Sequence, residues 1–326
     1  MEECFPHPVY RWENQLHTQK EPGVSIVIPT YNRRHTLQLV LKSLNDQTTN
    51  VPFEVIIVDD GSLDGTTRMI KDFPANYPIV LYRVHRKRTT YPRNPGPLRN
   101  LGILKSRSPL IIFLDSDMVC SPGFVQAHFD AHTGEKLVVT GVFIHTLDHR
   151  YPIEENRKLL DFSRAFLATG NASVERKWLL KAGLFDPRFT EYGWEDLELG
   201  ARLRKLGLKG EKEGRAITYH LTTELTPDKL PGRIEKEKAR ARMAVLYYQK
   251  HPNTSTALAT MNMPLCFILA KLLFIGNWPS RPTTGRLIDW LHRRGMLVIR
   301  NFFCEIVAVH SYMNELWTIT RKTKKG

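Results

Sequence analysis

From Val24 onward, apolar and polar positions alternate in a repeating order. The apolar run Val24 to Ile28 reads as a strand, and Leu37, Val40, Leu41 and Leu44 then recur at helical spacing. A second run, Val55 to Val58, closes in Asp59-Asp60-Gly61-Ser62. Met69, Ile70 and Phe73 give the next helical face, ahead of the strand-like Ile79 to Val84. A helix around Leu98 to Lys105 leads into Leu110 to Leu114, five apolar residues of the kind a strand covered on both faces carries. Strand and helix alternating in this way predict an α/β fold with an open, mostly parallel sheet flanked by helices. After about residue 226 the character changes to a charged helix, Arg233 to Lys250. An apolar segment, Ala257 to Trp278, and a basic tail follow. The chain therefore divides into an N-terminal extension (1–22), an α/β domain (23–225) and a helical, basic C-terminal extension (226–326). The apolar segment is interrupted by Asn262, Pro264 and Lys271, which breaks the run of about 20 apolar residues that a membrane span requires. It reads as a buried or interfacial helix.

In open sheets of this type, ligands bind beyond the carboxyl ends of the strands, and three of the predicted strands end in polar motifs. Pro29-Thr30-Tyr31-Asn32 follows the first, Asp59-Asp60-Gly61-Ser62 the second, and Asp115-Ser116-Asp117 the strand Leu110 to Leu114. In an extended segment alternate side chains share a face, so Asp115 and Asp117 can approach one hard cation. Mg²⁺ and Mn²⁺ take carboxylate oxygens together with phosphate and water. Asp59 and Asp60 can accept hydrogen bonds from a base or ribose, while Gly61 lets the backbone turn. Farther on, Glu191-Tyr192-Gly193-Trp194-Glu195-Asp196 opens a helix whose apolar stripe is Leu199, Leu203 and Leu206. Acids there complement the helix dipole. A carboxylate on such a rigid start also suits a general base. His220, after the strand-like Ala216 to Tyr219, offers an imidazole either to the structure or to a metal.

Charge narrows the choice of ligand. The chain has 326 residues, 47 of them Lys or Arg against 33 Asp or Glu, for a formal charge of +14. Such an excess favours anionic partners. Between Arg83 and Arg107 lie eight basic residues and no acid, and a diphosphate would sit well beside them, with Arg99, at the head of a helix, the sharpest candidate. The proline-rich remainder of that stretch predicts an electropositive loop. Without aromatic interleaving or a nucleic-acid motif, the patch is not read as a nucleic-acid site. The four cysteines, Cys4, Cys120, Cys266 and Cys304, show no paired spacing. With an N-terminus that carries acids and no apolar core, this predicts a reducing, cytoplasmic setting.

In this order, VSIVIPTYNRRHTLQLVLKSL, FEVIIVDDGSLDGT, PLRNLGILKS, LIIFLDSDMV, TGNASVERKWLLKAGLFDPRF and GWEDLELGARLRKLG resemble the family 2 glycosyltransferases with the GT-A fold, a Rossmann-like sheet. The resemblance covers about Val24 to His220. The last segment also resembles the GWxxED region of galactosyltransferases and polypeptide N-acetylgalactosaminyltransferases. It implies an inverting transfer from a nucleotide-diphosphate donor, a UDP-sugar, to a glycan or lipid-linked hydroxyl. Pro29, Thr30 and Tyr31, with Asp59 or Asp60, would hold the uracil and ribose, with Arg99 near the nucleotide. Asp117 would bind Mn²⁺ or Mg²⁺ directly, Asp115 would contact ribose or metal-bound water, and His220 would complete the metal shell. Asp196 would be the catalytic base and Glu195 a contact to acceptor or donor sugar. Rival readings are a nucleotidyltransferase, for which PTYNRR lacks the usual glycine-rich phosphate loop, and a non-catalytic nucleotide-sugar-binding homologue.

The tail has two readings. Residues 281–326 hold nine basic side chains against three acids, a formal +6, interleaved with Leu287, Trp290, Leu297 and Phe302. Either these apolar residues cap the core and the charges are merely solvated, or the segment lies in the headgroup layer of an anionic membrane on the cytoplasmic side.

Overall fold

The computed structural model describes residues 9–18, 21–84, 94–134, 136–150 and 165–323. The elements run β1 (Val9–Glu13), β2 (Val24–Thr30), α1 (Arg34–Asn45), β3 (Phe53–Asp59), α2 (Thr66–Asp72), β4 (Ile79–Val84), α3 (Gly96–Lys105) and β5 (Leu110–Leu114). They continue with β6 (Met118–Cys120), α4 (Phe124–Ala131), β7 (Leu137–Thr146), β8 (Asn171–Glu175), α5 (Arg176–Ala182), α6 (Glu195–Lys205) and β9 (Lys209–Leu221). The helices α7 (Leu230–Lys250), α8 (Thr254–Ala259), α9 (Pro264–Leu273), α10 (Pro282–Arg293) and α11 (Leu297–Thr323) close the chain. Two compact units result. The first takes the described residues within 1–89, 95–187 and 196–223, and the second those within 90–94, 188–195 and 224–326.

The first unit is built on a nine-stranded sheet in the order β1-β4-β3-β2-β5-β8-β7-β9-β6. At its centre β2 pairs in parallel with β3 and β5, and β3 in parallel with β4. Every residue of β2 and β5 is buried. Val24, Ile26 and Ile28 pack on Leu37, Val40, Leu41 and Leu44 of α1. On the other face Val27, Ile111 and Phe113 join the cluster of Leu199 and Leu203 from α6. Both faces being covered is why these strands read as continuous apolar runs. The approach of α3 to β2 is close enough to demand a glycine: a Cβ on Gly102 would lie 2.3 Å from Cγ1 of Val27.

Beyond β5 the sheet becomes antiparallel at the β5–β8, β8–β7 and β9–β6 joins, with β7 and β9 parallel. A buried polar network holds this half together. The Asn171 amide donates to the carbonyls of Val142 (3.2 Å) and Ala216 (3.0 Å), and its Oδ1 lies 2.8 Å from Nε2 of His128. His128 Nδ1 meets the Ser173 hydroxyl at 2.9 Å. Burial pushes the His128 imidazole down to about 4, so it is neutral in the fold.

In the second unit, Ala241, Ala244 and Val245 of α7 pack against Tyr312, Met313 and Leu316 of α11. Arg242 ties the helices by ion pairs to Glu191 (2.6 Å) and Glu315 (2.9 Å). The apolar segment Ala257 to Trp278, expected as one buried or interfacial helix, is divided. It breaks at Met261, whose φ is +54°, into the six-residue α8 and ten-residue α9. In α9 Phe267 is the buried position, while Leu265, Leu272 and Leu273 are each more than 60% exposed. Its apolar residues surround the helix, and one side alone finds a partner.

Candidate active site

Strand register gathers the polar motifs at one edge of the first unit. Thr30 stands opposite Asp59 in the β2–β3 ladder, and Asp60 N–H donates to the Thr30 carbonyl at 2.9 Å. Asp59 is fully buried and committed to the turn: it accepts from the Ser62 N–H (2.9 Å), the Ser62 hydroxyl (2.5 Å) and the Thr67 hydroxyl (2.9 Å). Arg83 lies 3.7 Å from it. The Thr30 hydroxyl is buried without a hydrogen-bond partner among the described residues. Pro29 is buried within β2, and Tyr31 follows half-buried. Asn32, at φ +50°, turns the chain away, and its N–H donates to the Ser62 hydroxyl at 2.8 Å. The PTYN and DDGS motifs thus form one interlocked edge.

At the end of β5, Asp115 receives Nη2 of Arg99 at 2.7 Å. Arg99 is 3% exposed, and its guanidinium lies 5.8 Å from the Phe185 ring centroid. The α3 helix that carries it is fixed by Asn100, which donates to the Phe185 carbonyl and accepts the Phe185 N–H, both at 2.8 Å. Burial raises the Asp115 carboxyl above its ordinary value and the neighbouring Asp117 adds to this, against the pull of Arg99. Gly170 leaves room here, since a Cβ on it would meet Asp115 Oδ2 at 3.2 Å.

Asp117 and His220 are joined through β9. His220 pairs with Met118 on the β6 side and with His145 on the β7 side, and Leu221 N–H donates to the Asp117 carbonyl at 2.8 Å. This register sets His220 Nε2 3.8 Å from Asp117 Oδ2 and His220 Nδ1 3.1 Å from His145 Nδ1. Arg33 approaches the same carboxylate at 3.6 Å. A carboxylate oxygen and an imidazole nitrogen therefore face one another at a gap that a divalent cation could bridge, with phosphate oxygens and water completing its shell. Among the described residues no group of three or more His, Cys, Asp or Glu is arranged to hold a metal alone.

The helix α6 starts later than the sequence suggests. Gly193 and Trp194 have φ of +108° and +71°, so Glu191 to Trp194 form a turn and the helix begins at Glu195. A positive φ is costly for a residue as bulky as Trp. The turn is held within the second unit, where the Trp194 indole donates to the Arg240 carbonyl at 2.9 Å and stacks on Tyr247. Glu195, 5% exposed, accepts the Gly193 N–H at 3.1 Å. Asp196 belongs to the first unit, and its carboxyl accepts the Leu197 N–H at 2.8 Å. Burial raises Asp196 above the usual carboxylate range, with Asp115 adding, while Arg99 draws it down. Arg99 is thus the cation shared by Asp115 and Asp196.

The profile for glycosyl transferase family 2 matches residues 25–184. Residues 25–184 are thus similar to glycosyltransferase family 2. A Bacillus subtilis (strain 168) protein described as an uncharacterized glycosyltransferase, YfnE, is 32% identical over 256 residues, which are 60% of this chain and 64% of that one. The Escherichia coli chondroitin synthase is 28% identical over 240 residues, 61% of this chain and 34% of the synthase. The chain thus matches between about a third and two thirds of these relatives' lengths. A mannosyltransferase of Pyrobaculum calidifontis, solved with GDP-Man and Mn²⁺, superposes with a TM-score of 0.53 at 14% identity. That likeness covers 92% of this chain and 87% of the other, and it shows the GT-A fold.

Among the candidate site residues, sequence reasoning passed over Arg33, His145 and Gly170. Arg33 sits within the matched PTYNRR segment and Gly170 within TGN, so both had a local signal. His145 has none, because its place follows from the β7–β9 register alone. The basic stretch is also corrected in part. Arg107 binds Glu54, which is fully buried and also accepts the Ser25 hydroxyl, so it is a core clamp rather than a phosphate contact. Arg86, Lys87, Arg88 and Arg93 of that stretch, and residues 151–164, lie outside the described residues.

Proposed function

We propose that this chain transfers a sugar from a nucleotide-diphosphate donor, a UDP-sugar, to a hydroxyl of a glycan or lipid-linked acceptor, with inversion. The observation that supports this most is the sharing of Arg99 between Asp115 and Asp196, beside the facing pair Asp117 and His220. Asp59 has its oxygens occupied by the turn, so Asp60, with the Thr30 hydroxyl and the Tyr31 ring, is the partner of the nucleoside. Asp117 and His220 would hold Mn²⁺ or Mg²⁺, which supplies Lewis-acid stabilisation of the charge on the departing diphosphate. Arg99 opposes the same charge from a buried, fixed position, where it costs no reorganisation. Asp115 keeps Arg99 in place and faces the ribose. Asp196 takes the proton of the acceptor hydroxyl as that oxygen attacks the anomeric carbon from the face opposite the leaving group. Its raised proton affinity suits it to this task, and activity falls as pH drops through that raised value. Glu195 holds the Gly193–Trp194 turn from which α6 starts.

The test is release of nucleoside diphosphate from a panel of nucleotide-sugars with Mn²⁺, with and without acceptor glycans and excess chelator. UDP release that chelation stops is the expected result. GDP release would change the donor, and pyrophosphate release from nucleoside triphosphates would make the chain a nucleotidyltransferase. Tight donor binding without turnover, across all acceptors, would make it a binding homologue.

A further inference from the structure

The second unit exposes a surface that neither its own core nor the catalytic reading uses. In α9, Leu265, Ile268, Leu269, Leu272 and Leu273 are each at least 55% exposed. Their spacing of three and four places them on one face. The opposite side carries Phe267, buried in the cluster of α7 and α11. The exposure continues through Ile275 to Trp290 on α10 and to Val298 and Phe302 at the start of α11, with Val298 83% exposed. Both α9 and α10 pack on α11.

Charge singles out what covers this surface. From Thr254 to Cys304 the chain carries six cations, Lys271, Arg281, Arg286, Arg293, Arg294 and Arg300, and one acid, Asp289. Arg300 is buried and bound to Glu224 at 2.8 Å, whereas the other five are exposed. On α10, Arg286, Trp290 and Arg293 recur at spacings of four and three, opposite the buried Ile288 and Leu291. Arg294 lies over the Trp290 ring, 5.8 Å from its centroid. A second copy of the chain meeting this surface across a two-fold axis would set cations against cations. A membrane span is the other use of so apolar a segment, and Thr254–Leu273 is long and apolar enough for one. The break at Met261, however, leaves α9 as ten residues. That is about 15 Å of helix against a hydrocarbon layer of about 30 Å.

We propose that the α9–α10 surface, with the first turn of α11, docks on an anionic lipid bilayer. The leucine and isoleucine face of α9 enters the acyl boundary, and Arg286, Arg293 and Arg294 meet lipid phosphates. The test is flotation of the full chain with phosphatidylcholine vesicles and with vesicles containing phosphatidylglycerol. It uses the wild type, Leu269→Asp/Leu272→Asp and Arg286→Gln/Arg293→Gln/Arg294→Gln. All substituted positions are exposed, so unchanged circular dichroism and melting confirm an intact fold. Flotation with the phosphatidylglycerol vesicles that weakens with salt is expected. The aspartate pair should abolish it, and the glutamine triple should weaken partitioning by roughly fivefold per cation removed. Three results overturn the proposal: no flotation with phosphatidylglycerol at low salt, equal and salt-independent flotation with neutral vesicles, or a solution dimer that the aspartate pair dissociates.

Discussion

The two units treat polar and apolar groups in opposite ways. In the first, Glu54, Asp59, Asn171 and Glu198 are all fully buried, and each has hydrogen-bond partners. Arg202, for example, binds Glu198 at 2.6 Å and also donates to the carbonyls of Ala182 and Leu184. In the second, large apolar side chains stand in water along α9 and α10. A buried acid fully occupied by neighbours, such as Glu54, is a structural part. Asp115 and Asp196, both raised by burial and both drawn down by Arg99, are the acids we propose for the chemistry. An exposed apolar face carries the complementary message, that something outside the chain is its partner.

Substitutions in the two units should therefore differ sharply in effect. The largest is Asp117→Ala, which removes a carboxylate facing His220 at the strand end rather than a core side chain. Transfer should fall on the order of a thousandfold or more, the several kcal/mol that a bound cation contributes, with an unchanged melting curve. Full activity in this variant would remove Asp117 from the site. Next, Gly102→Val forces side-chain carbon into the space that Val27 fills and should cost about 3 kcal/mol, read as the urea midpoint. A midpoint equal to wild type would mean that α3 can move off β2 freely.

The buried histidine gives a pH signature. His128 is lowered to about 4 in the fold, so between that value and the ordinary 6.5 the unfolded chain binds the extra proton. Stability is then lost as pH falls, by about 2 kcal/mol from about pH 7 to pH 5. Denaturation midpoints measured across that window check it, and a flat profile would mean that the imidazole is already charged in the fold. The smallest effect belongs to the second unit: Leu272→Asp, on an exposed face, should change stability by less than about 0.5 kcal/mol. A larger loss would show that this face is covered in solution.

Legibility in the sequence also divided the first unit itself. β2, β3 and β5 and the apolar face of α1 were readable because strands buried on both faces leave unbroken apolar runs, and Asp115 to Asp117 stand out directly after one. Of the antiparallel half, only Ala216 to Tyr219, the buried end of β9, was readable. The face of β8 toward the Asn171 network is polar, and most of Lys209 to Arg215 in β9 is exposed, so no apolar period survives. The His145–His220 pairing is set by a ladder between strands about 75 residues apart in sequence, which leaves no local mark. The start of α6 was misjudged by four residues because a tryptophan at positive φ is held there by Arg240 and Tyr247 from elsewhere in the chain. For α9, composition reported apolarity without saying which side would find a partner.

Asp196 is proposed as the base of a sugar transfer whose donor site is built by other residues. Its most direct measurement is donor affinity and turnover of Asp196→Asn beside wild type, because the amide preserves shape and cannot accept the proton. Donor binding within about twofold of wild type is expected, with turnover lower by roughly 10²- to 10⁴-fold. Normal turnover would contradict it, leaving Asp196 as no more than a cap on α6 and moving the search for the base to Glu195 or Glu191.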